Sequence, residues 1–368
     1  MNRDGDTAEP VTELVGQALG AQDRHACEGL LRRAAEADGR GAVARALDLL
    51  GSPRPVERAL GCDLLGFASD AHEDVRAGAA DALVALAARE SEPEVLRSLA
   101  RALDRTQDRR AVPVLVALAG HRDPEVRQRT AIALGGFDSG LPDGPDVRAL
   151  IALARDPDPE VRNWATFSLG FQSGADTPAV RAALWERTRD AGPDVRAEGV
   201  RGLARRRDPR ATAPLSELLA DPDGAEVLTF RAAEILGAPE LLPLLEDYDP
   251  DDHGVAEALA ACDPARKARL DEAAWALVRA LERLRPELSA AVWATRCEPG
   301  LTLGLGSGPD APGYDAPGAG TPGPDAPGYD VGALLARAGH DPLRAAELVC
   351  GDHPVTRSDR TATGHRKD

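Results

Sequence analysis

The sequence predicts an all-α fold, an α-α superhelix in which short antiparallel helix pairs are stacked one on another. The first observation is a repeat. Asp123-Pro124-Glu125-Val126-Arg127 returns as Asp158-Pro159-Glu160-Val161-Arg162 and, loosened, as Gly192-Pro193-Asp194-Val195-Arg196, so the valines stand 35 and 34 residues apart. Self-similarity at such a period marks a solenoid. The second is that an apolar run precedes each copy, at 112–119, 147–154 and 180–188. The third is composition: Ala, Leu, Arg and Glu abound, aromatic residues make up only 3%, and strand signals are nearly absent.

Residues 1–10 are polar and acidic, lack the apolar segment of a secretory signal, and read as a disordered terminus. A solenoid is expected over 11–262. It opens with a capping pair at 11–37, and further pairs fall near 40–68, 74–105, 109–137, 145–172, 177–206, 209–237 and 239–262.

The copy at 122–137 shows why each second helix forms. Asp123 caps it, Pro124 suits the first helical position, and Glu125 favours the positive end of the dipole. Val126, Thr130, Ala133 and Leu134 then share one face, and Gly135-Gly136 ends the helix. The next copies place Val161, Ala165 and Leu169, then Val195, Gly199 and Leu203, on the same face.

The pattern D-P-x-V-R-x-x-A-x-x-A-L-G resembles the HEAT repeat, an armadillo-like fold, in the bacterial variety first associated with phycobilin lyases. The resemblance covers roughly residues 25–260 and is closest at 156–170. It implies that the arginine after each valine pairs with a turn aspartate and braces neighbouring repeats. The matching positions are Asp123 and Arg127, Asp158 and Arg162, and Asp194 and Arg196. Arg76 also follows a valine, but its register assigns it to a first helix.

Beyond the solenoid, 263–298 reads as C-terminal capping helices: one long amphipathic helix over 266–284, then a short one carrying Trp293. Residues 299–330 read as a disordered Gly/Pro/Asp-rich linker, in which Gly-Pro-Asp-Ala-Pro-Gly-Tyr-Asp occurs at 308–315 and again at 323–330. A short helical segment follows at 331–350, interrupted at Gly339 and Pro342, and 351–368 reads as a disordered tail. The helical segment either docks on its own chain or on a partner, or stays a loose tail. Deleting 304–368 is expected to leave the solenoid's stability nearly unchanged.

The net charge of −17 disfavours nucleic acid and anionic membrane surfaces as partners and permits a protein or peptide. No run of apolar residues is long enough for a membrane span. The five cysteines are scattered without C-x-x-C spacing, as free thiols in a cytoplasmic protein are.

Few residues suggest chemistry. His72-Glu73 is the only His-Glu dipeptide, whereas a HEAT-like metalloenzyme family, the deoxyhypusine hydroxylases, carries four such pairs as its di-iron ligands, so no metal and no cofactor is expected. No nucleophile elbow, phosphate loop or triad precursor is visible. The exception to the repeat is aromatic. Trp164, Phe167 and Phe171 form a stripe off the Val161/Ala165/Leu169 face, at positions held by Arg129 and Ile132 in the preceding repeat and by Glu198 and Arg201 in the next. The resemblance places second helices, and with them Asn163, Trp164 and Phe167, on the concave face. One reading makes the stripe an anchor for a partner, flanked by Arg129, Arg201 and Arg205. The other makes it packing between adjacent repeats. Arg201, Arg205, Arg206, Arg207 and Arg210 likewise read either as an anion-binding cluster or as a solvated helix end.

The expected function is a non-enzymatic scaffold or adaptor that binds a partner on the concave face. The alternative is a HEAT-like enzyme or enzyme subunit, of phycobilin lyase-like or DNA glycosylase-like kind. An enzyme needs a deep pocket with a shifted titrating group, whereas a scaffold needs a long shallow groove.

Overall fold

The computed structural model describes residues 11–137, 141–222, 224–294, 301–307 and 328–352. The chain forms two compact units, Met1–Leu203 and Ala204–Asp368.

The first unit holds α1 (Val11–Gly20), α2 (Arg24–Ala37), α3 (Gly39–Leu50), α4 (Pro55–Ala71), α5 (Arg76–Ala87), α6 (Pro93–Thr106), α7 (Val112–Leu118), α8 (Pro124–Gly135), α9 (Pro145–Leu153), α10 (Pro159–Phe167) and α11 (Pro178–Arg187). It also holds most of α12 (Pro193–Arg205). The second helices α2, α4, α6, α8 and α10 pack in series as one layer, and the first helices form the other. Between the layers lies the core, where Leu31, Leu64, Leu83, Leu99, Leu115, Val126, Leu134, Val161 and Leu169 are fully buried.

Local chemistry sets the helix starts. The Asp123 carboxylate accepts from the Val126 N–H at 3.1 Å, and Asp158 accepts from Glu160 and Val161 at 2.9 and 3.2 Å. Thr177 caps α11 through the Val180 N–H at 3.2 Å.

The arginine ladder runs to different carboxylates from those expected. Arg127 donates Nε and Nη2 to Asp156 at 2.7 and 2.8 Å, and Arg162 donates the same pair to Asp190 at 3.0 Å each. Arg58 makes the equivalent fork to Glu90 at 2.7 and 3.1 Å. Asp123 and Asp158 are occupied as caps, so the acceptor is the carboxylate that opens the next repeat's turn. Asp194 is an exposed first-turn residue of α12, because Gly192 stands in the cap slot. Arg196 donates its Nη1 to the Asp190 and Ala191 carbonyls at 2.9 and 3.0 Å.

After α10 the backbone widens to a π-helical turn over Ser168–Gln172, closed by the Ser173 N–H on the Ser168 carbonyl at 2.8 Å. Glycines on both sides make room for it. A Cβ on Gly135 would fall 2.6 Å from the Ser168 Cβ, and one on Gly202 would fall 2.9 Å from the Gly170 Cα.

The second unit continues with shorter helices, α13 (Thr212–Leu219), α14 (Val227–Leu236), α15 (Leu242–Leu245) and α16 (Val255–Cys262), followed by α17 (Pro264–Leu284). It then departs from the all-helical expectation. β1 (Leu288–Ala294), β2 (Leu301–Ser307) and β3 (Gly328–Asp330) form an antiparallel sheet in the order β1-β2-β3, pairing Val292 with Leu303 and Leu303 with Tyr329. The short helix expected around Trp293 is therefore strand, and within the expected linker at 299–330 the described residues 301–307 and 328–330 are strand as well. The rest of that linker, 299–300 and 308–327, together with 1–10 and 353–368, lies outside the described residues.

The cause is a core. α18 (Val331–Arg337) and α19 (Pro342–Asp352) pack with the sheet against α17, burying Val331, Leu334, Leu335, Ala345, Ala346 and Val349 beside Leu277, Leu281 and Leu303. The segment at 331–350 thus docks on its own chain, on α17.

Candidate functional site

Trp164 and Phe167 project from α10 half-buried, and Phe171 is 46% exposed on the π-helical turn. The Trp164 and Phe167 rings meet edge to face at 5.8 Å, and Phe167 and Phe171 stack at 5.3 Å with 15° between their planes. Val161, Ala165 and Leu169 are fully buried on the opposite face. The three rings form a continuous ladder that the core does not absorb. Beside it, the Asn163 Oδ1 is buried without a hydrogen-bond partner among the described residues.

Arg201 donates to Glu198 at 2.9 Å, with both side chains largely buried. Arg205 belongs to the second unit. Of the remaining arginine run, Arg206 is buried, Arg207 donates to the Ile235 carbonyl at 2.7 Å, and Arg210 pairs with Asp208. Backbone and carboxylate partners account for much of this cluster. His72 is structural too, its Nε2 lying 2.9 Å from the Ala35 carbonyl oxygen.

Arg129 faces a cavity of about 390 Å³ lined by Arg24 and Glu28 of α2, Asp63 and Phe67 of α4, and Arg101 and Arg105 of α6. A second cavity of about 440 Å³ adjoins it, sharing Arg24, Asp63, Arg101 and Arg129 and adding an aliphatic wall of Ala18, Leu19, Val56 and Leu60. Gly66 permits the close packing underneath, since a Cβ there would sit 3.2 Å from the Ala102 Cα. Arg101 Nη2 donates to both Asp63 oxygens and to Ser98 Oγ, and Ser98 Oγ donates to Asp63 at 3.2 Å. Arg105 pairs with Asp70 at 2.9 Å while its guanidinium carbon lies 4.3 Å from the Phe67 ring centre, and that of Arg32 lies 4.8 Å from it. Such cation–π contacts hold arginines on an aromatic floor. Arg129 forms no ion pair with a described residue.

Burial pushes the Asp63 carboxyl up to about 7, against the hydrogen bond from Ser98 and the charges of Arg24 and Arg105. Burial also lifts Asp104 to about 6, opposed by Arg105 and helped by Asp70.

These residues occupy the same register as the rings. Five places after the repeat arginines Arg58, Arg127 and Arg162 come Asp63, Ile132 and Phe167, and nine places after them come Phe67, Gly136 and Phe171. With Leu96 in the arginine slot of α6, the same counts reach Arg101 and Arg105. The register that singles out Phe167 therefore also marks Asp63 and Arg101. Among the described residues no cluster of three or more His, Cys, Asp or Glu forms a ligand set for a metal, and no helix is long and apolar enough to cross a membrane.

Paired helices, Asp-Pro caps and a carboxylate–arginine ladder define an α-α solenoid. A sequence model of HEAT repeats matches residues 80–169 and 147–237, so this stretch of the chain is built of HEAT repeats. Its fold is similar to that of YibA from Escherichia coli, at 23% identity and a TM-score of 0.55 over 68% of this chain and 91% of that one. Weaker similarity links it to the complex of CpcE and CpcF of phycocyanin lyase from Nostoc sp. PCC7120 (19% identity, TM-score 0.40, 61% of this chain and 86% of that one). An engineered protein shows 21% identity and a TM-score of 0.46 over 74% of this chain and 84% of that one. No curated protein sequence matches the chain significantly.

Proposed function

We propose that the protein is a non-enzymatic scaffold, cytoplasmic by the free thiols of its four described cysteines, whose second-helix face binds another protein. In the HEAT family this layer lines the concave side, which offers an extended surface. The observation that carries the reading is the ring ladder of Trp164, Phe167 and Phe171, left partly exposed where the next repeat places Glu198 and Arg201. Aromatic side chains dominate binding hot spots because they bury large area at small entropic cost. Asn163 and Arg129 belong to the same second-helix layer, as does Arg201, which is tied to Glu198.

The enzyme reading has one observation in its favour, the raised Asp63 carboxyl in a cavity. Perturbed carboxyls in clefts mark catalytic sites as well as ion-pair networks. Here Ser98 and Arg101 hold Asp63 in such a network, which favours the structural role.

Affinity capture from the native cell tests the scaffold reading. Proteins retained by the wild type are expected to be lost with Trp164→Ala plus Phe167→Ala, at unchanged helical content. If every captured protein is retained by the double variant, the ladder is not the anchor.

A further inference from the structure

We propose that the cavity between α2, α4, α6 and α8 accepts the carboxylates of an acidic, aliphatic-containing peptide segment of a partner protein. The inference rests on the reading of the second-helix face as a binding surface and names what part of that surface recognises. The cavity is locally basic in an acidic chain. In the charged lobe Arg24, Arg101, Arg105 and Arg129 face two lining carboxylates, Glu28 and Asp63, although the chain carries a net charge of −17; the adjoining lobe adds Arg97 and the carboxylates of Asp23, Glu94 and Glu125, so the excess of positive charge is confined to the first lobe.

Two of the four arginines hold partners they can exchange. Arg24–Glu28 and Arg105–Asp70 are partly exposed pairs, with side chains 63% and 38% exposed in the first and 31% and 46% in the second. Exposed pairs of this kind contribute little, so an incoming carboxylate displaces them easily. Arg129 has no such partner to give up. Arg101 differs: its pair with Asp63 is mostly buried, and Ser98 braces it, so it sets the cavity wall. Planar guanidinium forks suit carboxylates, which they bind through paired hydrogen bonds.

The aliphatic requirement comes from the adjoining cavity. Leu19 and Val56, the latter 48% exposed, line it within reach of the same Arg24, Arg101 and Arg129. A ligand seated in both lobes presents an aliphatic side chain beside a carboxylate. The volume, about 390 Å³ in the charged lobe alone, corresponds to roughly ten waters or more at ~30 Å³ each and suits a side chain with backbone rather than a lone inorganic ion.

Selection of random-sequence displayed peptides on the full chain tests this. The wild type is expected to enrich peptides that carry Asp or Glu next to Leu, Ile or Val. Selected peptides should bind Arg129→Glu at least about tenfold more weakly, with an intermediate loss for Arg129→Gln, at matched thermal midpoints. Enrichment of neutral or basic peptides, a requirement for phosphorylated residues, or equal binding to Arg129→Glu would each overturn the proposal. Trp164→Ala plus Phe167→Ala should leave the selected peptides bound. If that pair abolishes capture of cellular partners while no acidic peptide is ever enriched, the scaffold reading stands and the carboxylate pocket falls.

Discussion

Arg101 reaches from α6 back to α4 and sets its Nη2 3.0 Å from one Asp63 oxygen and 3.2 Å from the other. The pair occupies the register that Phe167 holds on α10, so one column of the second-helix layer is ionic in the early repeats and aromatic later. Within the first unit the repeat supplies a frame, and the surface column varies on it.

That pair makes stability depend on pH. Burial raises Asp63 to about 7 in the folded chain, from an ordinary value of 3.8. Between roughly pH 4 and pH 7 the folded state therefore keeps a proton that the unfolded state has released, and this contribution is lost as pH rises through that window. Asp63→Asn removes the titration. Urea midpoints should favour the wild type more at about pH 5 than at about pH 8, relative to the variant. A difference independent of pH would show that Asp63 ionises normally.

The ladder arginines should be costly to remove. Arg127→Ala strands the nearly buried Asp156, whose side chain is 7% exposed, and is expected to destabilise by about 3 kcal/mol. Arg54→Ala breaks an exposed pair with Glu57 and should change stability by less than ~1 kcal/mol. Chemical denaturation of both variants checks the contrast, and equal effects would remove the ladder's bracing role.

Glycine has two different meanings in this chain. Gly202→Ala would bring a methyl within 2.9 Å of the Gly170 backbone and is expected to destabilise by about 1–3 kcal/mol. Gly78 is exposed within α5, and a methyl added there would meet nothing within 4 Å, so Gly78→Ala should stabilise by about 0.5–1 kcal/mol. Thermal midpoints moving in opposite directions would bear this out.

The C-terminal elements should act as a cover. Leu281 is fully buried between α17 and the α18–α19 layer, and Leu281→Ala is expected to cost about 2–5 kcal/mol. Removing 328–352 should uncover Leu277 and Leu281 and raise binding of a hydrophobic dye. Unchanged dye binding and stability would restore the expectation of a dispensable tail.

Helix pairs are readable because their determinants are local. A cap, a proline and a buried valine within five residues announce each second helix, as at 123–127. The ladder's true acceptors are harder to read, since Asp156 and Asp158 stand two residues apart and only geometry assigns one to the arginine and the other to the cap. The sheet escapes the sequence for a compositional reason. Leu301-Thr302-Leu303-Gly304-Leu305 alternates as a half-buried strand does, but it runs into Gly/Pro-rich sequence that masks the period. The charged cavity is hidden because Arg24, Asp63, Arg101 and Arg129 converge from four helices, although the repeat register already sets Asp63 and Arg101 level with Phe167.

The central claim, that the second-helix face is the one that engages a partner, is tested most directly by site-specific photo-crosslinking in the native cell. A photoreactive residue at Phe171, 46% exposed on the second-helix side, is compared with one at Leu47, 48% exposed on the first helix α3. Discrete crosslinked partners are expected from position 171 and none of them from position 47. The same partners from both positions, or partners from 47 alone, would contradict the claim.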